Sequence, residues 1–136
     1  MSYFTWDPNR LSVHVDSMDK EHIRLIELMN NLYDLSEKGS SKDVLGVALK
    51  DLVDWTVKHF QDEEKFFDSL EYKMADMHKA IHKDLLNKLG DHGKKFEESG
   101  KLTPEFFDFL KMWLNAHIAG IDMKYGEIAV KSKKTA

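Results

Sequence analysis

The sequence predicts an all-α protein: an antiparallel up-down-up-down four-helix bundle with an N-terminal extended arm. Three observations carry that prediction. Apolar residues recur at the 3.6-residue period over four long stretches. The only two prolines, Pro8 and Pro104, stand where they leave those stretches unbroken. The joining segments, about 38–41, 69–73 and 98–103, are short, and short connections place consecutive helices antiparallel.

Residues 1–17 carry Trp6, Leu11, Val13 and Val15 among turn formers, which reads as an arm packed on the body. A first helix over about 18–37 lines up Met18, His22, Leu25, Ile26, Met29, Leu32 and Tyr33, and Gly39-Ser40-Ser41 ends it. Ser40 or Ser41 then caps a second helix over about 42–68, whose stripe is Leu45, Leu49, Leu52, Thr56, His59, Glu63 and Phe66. The third, about 74–97, carries Met74, His78, Ile81, His82, Leu85, Leu89 and Phe96, and Gly100 marks its exit. Thr103-Pro104 supplies an N-cap and a first-turn proline for the fourth, with Phe106, Leu110, Trp113, Leu114 and His117 on its stripe. The bundle therefore spans about 18–130 within one domain, 1–136.

A net charge of -4 and a pI near 6.0 argue against nucleic acid, whose phosphates require a basic surface. The basic tail Lys131, Lys133 and Lys134 reads as a solvated chain end. With no cysteine, any metal must be held by N and O donors. No basic-then-apolar leader and no run of about 18 apolar residues is present, so no membrane association and a cytoplasmic location are expected.

The polar members of the stripes are the informative ones. His59 and Glu63, and His78 and His82, are four residues apart and so share a helix face. In an up-down-up-down bundle, His22, His59 with Glu63, His78 with His82, and His117 all fall at the same end. His117 and Asp122 are five apart, some 140° on a regular helix, so the backbone must depart from regularity; Gly120 makes unwinding inexpensive there, and Asp122 is expected to reach back from a broken or distorted helix end. One histidine on an apolar stripe is usually a hydrogen-bonded core residue. Five imidazoles and two carboxylates gathered without a cation would leave many polar atoms unpaired, at about 1–3 kcal/mol each, whereas two metal ions satisfy them together. His14 and His92 lie away from this set, and Asp62 and Glu64 read as solvated neighbours of Glu63.

Other metal chemistries fit less well. Ferritin-like sites need Glu-x-x-His, which is absent; a zinc protease needs Glu after the first histidine of His-x-x-x-His, where Lys79 stands; a haem bundle would leave most of these donors unused. Trp6, Asp19-Lys-Glu-His22, His59-Phe-Gln-Asp-Glu63-Glu64, His78-Lys-Ala-Ile-His82, and Trp113 through His117 and Asp122 to Tyr125 resemble the bacterial hemerythrin (bacteriohemerythrin) family, over nearly the whole chain. Glu21 replaces a glutamine common before the first histidine, and Tyr72-Lys73 replaces a frequent Tyr-Pro turn.

The resemblance implies two iron ions with a bridging oxo or hydroxo group and two bridging carboxylates. His78, His82 and His117 would bind one iron, His22 and His59 the other, and Glu63 and Asp122 would bridge. The second iron's vacant position would take dioxygen, and Leu25, Phe60, Trp113, Leu114 and Ile118 resemble the pocket around it, although their spacing suits ordinary bundle core equally well. The implied function is reversible dioxygen binding for storage, transport or delivery to an oxygen-consuming enzyme, by a monomer that is not itself an enzyme. The alternatives are a dioxygen or redox sensor module, or a diiron peroxide or nitric oxide reductase.

Overall fold

The computed structural model describes residues 4–70, 72–122 and 124, without the side chains of Arg10 and Ala119. The expectations for Tyr125, the basic tail and the end of the bundle near residue 130 lie outside the described residues.

The arm is not wholly extended. Pro8–Leu11 form a single turn, α1, which Asp7 caps by accepting a hydrogen bond from the Asn9 amide, with Pro8 supplying a helical φ at the first position. Its entry is tied to the body by a paired amide contact: the Phe4 N–H donates to Asn30 Oδ1 and Asn30 Nδ2 donates to the Phe4 carbonyl, both at 2.8 Å. Its exit is tied by Asp19, which accepts from Ser12 Oγ at 2.6 Å and from the Val13 amide at 2.8 Å.

The long helices are α2 (Asp16–Glu37), α3 (Lys42–Asp68), α4 (Ala75–Ser99) and α5 (Pro104–Met112), the last continuing as a π-helical segment over Trp113–Asp122. No strand occurs among the described residues, and no helix there is long and apolar enough to cross a membrane. The cap chemistry fixes the boundaries: Ser41 Oγ accepts from the Val44 amide, Thr103 Oγ1 accepts from Phe106, and Gly100 closes α4 at φ 72°, a left-handed conformation that a side chain would disfavour. Helix α2 packs on α3, α3 on α4, and α1 against the π-helical segment.

The main core is built from Leu25, Met29, Leu32, Leu52, Phe96, Leu110 and their neighbours. A smaller cluster of Val13, Met18, Phe67 and Tyr72 seals the opposite end. Phe67, not Phe66, is the buried phenylalanine near the end of α3. Continuing the stripe from Glu63 takes a step of four rather than three, because Phe67 has to reach Tyr72 and His78 in the turn and on α4.

Candidate metal centre

Seven polar side chains fill the space between the two apolar clusters. His22 comes from α2, His59 and Glu63 from α3, His78 and His82 from α4, and His117 and Asp122 from the π-helical segment; all are buried, at 4% exposure or less. Antiparallel packing brings them to one height. The five-residue step from His117 to Asp122 is accommodated by widening the helix rather than breaking it: π-type turns close hydrogen bonds between residues five apart, so both side chains return to the same face. His117 Nε2 and Asp122 Oδ1 stand 3.0 Å apart. Gly120 lies within the wide turn without a positive φ. The expected distortion is thus present, without unwinding at glycine.

The donor atoms form two overlapping groups. Glu63, His78, His82, His117 and Asp122 make one, and His22, His59, Glu63 and Asp122 the other; within each, one ligand atom per residue lies within 4.8 Å of all the others. Asp122 turns Oδ1 to His78 at 2.8 Å and His117 at 3.0 Å, and Oδ2 to His22 at 3.1 Å. Glu63 turns Oε1 to His59 at 3.3 Å and His82 at 3.2 Å, and Oε2 to His22 at 3.3 Å.

These contacts are close, yet among the described residues Nε2 of His22, His82 and His117 and Oδ2 of Asp122 make no hydrogen bond. Each belongs to a residue of the two donor groups, whose ligand atoms lie within 4.8 Å of one another. Metal–donor bonds of about 2.1 Å put neighbouring octahedral donors about 3.0 Å apart, the spacing found here, so a hard or borderline cation fits where hydrogen bonding does not.

Without a cation the cluster neutralises itself. Burial alone would lower the His59 pKa, but the charge of Glu63 and the hydrogen bond to Glu21 overcome it and raise it to about 10. His22 is raised as well: burial and the neighbouring His59 oppose its charge, and Asp122 and Glu63 prevail. Burial would raise both carboxyls, yet Glu63 is held well below its usual range by His59 and His22, and Asp122 is held low by His117 and His22 despite Glu63 beside it.

Three residues that the sequence did not assign to the site grip the outer ring nitrogens. His59 Nδ1 donates to Glu21 Oε1 at 2.7 Å, His82 Nδ1 donates to Glu64 Oε2 at 3.0 Å, and His78 Nδ1 stands 3.2 Å from the Tyr72 hydroxyl. Glu64 is therefore not merely solvated: its side chain is 32% exposed and turned inward to α4. Asp62, 30% exposed, is not merely solvated either: it pairs with Lys58 at 2.6 Å and faces the Glu21 carboxyl. His14 is exposed, and His92 packs on Phe109 away from the cluster. Burial and the charges of Asp122 and Glu63 push the Tyr72 hydroxyl up to about 12, so it remains protonated.

Leu25, Phe60, Trp113, Leu114 and Ile118 are all buried and belong to the main core. Of these, Phe60 has its ring against the donor imidazoles, stacked on His82 with centroids 3.8 Å apart and tilted against His59 and His117 at 5.9 and 6.0 Å, with Trp113 at 5.6 Å.

The family profile described as Hemerythrin HHE cation binding domain matches residues 13–129. The chain belongs to the hemerythrin family. Hemerythrins are non-haem iron, oxygen-binding proteins, and the donor set of this chain is of the type such a centre uses. The chain is similar to Myohemerythrin-1 of Phascolopsis gouldii, 36% identical over 90% of this chain and 91% of that one. It is also similar to Bacteriohemerythrin of Methylococcus capsulatus, 29% identical over 93% of this chain and 96% of the relative. A solved structure of wild-type hemerythrin superposes with a TM-score of 0.86 at 28% identity, covering 93% of this chain and 98% of its own.

Proposed function

We propose that this hemerythrin binds dioxygen reversibly at a two-iron centre and stores it, or delivers it to an oxygen-consuming enzyme. The observation that carries the reading is the inequality of the two overlapping donor groups, five residues against four, with Glu63 and Asp122 in both. At octahedral iron, His78, His82, His117 and the two carboxylates would leave one place, suited to a small group shared between the metals. His22, His59 and the same carboxylates would leave one place more, open to an outside ligand.

When bound, the iron pair supplies the electrons that hold dioxygen and recovers them on release. The protein's part is to fix the rings, balance the charge and exclude water. Phe60 lies against His59, His82 and His117, and with Leu25, Trp113, Leu114 and Ile118 it would line an apolar pocket that disfavours the water and protons that would make oxidation irreversible. The same reading makes the chain one domain, 1–136, monomeric and cytoplasmic, and a binder rather than an enzyme.

The test is anaerobic loading with ferrous iron, iron analysis, and repeated exposure to dioxygen and degassing under an absorption spectrometer. Two irons per chain and a visible band that appears with dioxygen and vanishes on degassing over several cycles are expected. Oxidation that does not reverse after the first cycle overturns the carrier reading in favour of sensing or reduction.

A further inference from the structure

Each of the five imidazoles that turns one nitrogen to the centre has a second nitrogen, and the structure treats these unequally. His59 has a carboxylate at 2.7 Å, His82 a carboxylate at 3.0 Å and His78 a phenol at 3.2 Å, while Nδ1 of His22 and of His117 makes no hydrogen bond among the described residues. The shortest of these contacts is also the better shielded of the two carboxylate contacts: the Glu21 side chain is 15% exposed, against 32% for Glu64. It serves the donor group that has four members rather than five.

We propose that Glu21 is a positioning residue that sets the redox balance of the iron held by His59. The inference rests on the two-iron reading above. An ionised carboxylate at Nδ1 fixes the ring plane so that Nε2 faces the centre, and by drawing on the Nδ1 proton it makes Nε2 a stronger donor. A stronger, more anionic donor stabilises ferric over ferrous iron at the position with room for an outside ligand.

The surroundings hold Glu21 to this task. Trp55 Nε1 donates to the Glu21 carbonyl at 3.1 Å, locking α2 to α3 at the height of His59. The other carboxylate oxygen lies 3.8 Å from Lys58 Nζ, an ammonium that is 56% exposed and shared with Asp62, and the Asp62 carboxyl itself lies within hydrogen-bonding reach of Glu21. Glu21 thus acts on the centre through His59 without touching it.

The test compares the iron-loaded wild-type chain with Glu21→Gln, which keeps the shape and an acceptor oxygen but removes the charge, and with Glu21→Ala, which removes both. Iron content, circular dichroism and the midpoint potential from a mediated reductive titration are measured on each. For Glu21→Gln, two irons, an unchanged fold and a higher potential are expected, equivalent to about a tenfold shift toward ferrous iron, or 59 mV for one electron. For Glu21→Ala, at least the same shift is expected, with about tenfold weaker iron affinity. A Glu21→Gln protein that loads two irons at the wild-type potential overturns the proposal and leaves Glu21 a packing residue. A wild-type chain that takes up no iron overturns the two-iron reading itself, and this proposal with it.

Discussion

At the scale of single residues, the cluster is defined by which carboxylate faces which ring. His59 contributes to one donor group only, whereas Glu63 contributes to both. Iron analysis should therefore find about one iron per chain for His59→Ala and less than one for Glu63→Ala, and equal losses would contradict the sharing. The metal-free protein should also depend on pH in a definite sense. His59 and His22 have raised pKa values, so the stability they lend is complete below 6.5 and disappears as pH climbs, for His59 toward about 10. Glu63 and Asp122 are depressed, so theirs is present above the ordinary carboxyl range and is lost on acidification. Metal-free protein should melt lower at about pH 9 than at about pH 6, and iron, which needs deprotonated rings, should narrow that difference; melts with and without metal check both statements.

At the scale of elements, the helices were legible because their signals are local. Ser41, Gly100 and Thr103-Pro104 mark ends by cap chemistry that needs no tertiary partner, and the observed ends fall within about two residues of those read from the sequence. Thr103→Ala should cost about 1 kcal/mol, visible in denaturant midpoints, with iron content unchanged because the cap lies far from His117 along the helix. What was not legible depends on how helices are rotated against one another. Glu21 and Glu64 find their imidazoles only through the register of α2 on α3 and of α3 on α4, and the acidic character of either residue equally suits solvent. The five-residue gap before Asp122 announced an irregularity, but spacing alone does not distinguish a broken helix from a widened one.

At the scale of the whole molecule, cohesion is divided between two ends of different character. One is apolar throughout, with Leu32, Leu52 and Leu110 fully buried; the other encloses ionisable groups that must be neutralised by protons or by metal. Hydrogen exchange should show amides near Leu32 and Leu52 protected to the same degree with or without iron, and amides around His59, His82 and His117 exchanging faster once iron is removed. Uniform loss of protection would show instead that the bundle opens as a unit. Because Glu63 and Asp122 belong to both donor groups, the first ion to arrive orients the anions that the second requires. Uptake should accordingly be cooperative, and native mass spectrometry at substoichiometric iron should find chains carrying none or two far more often than chains carrying one.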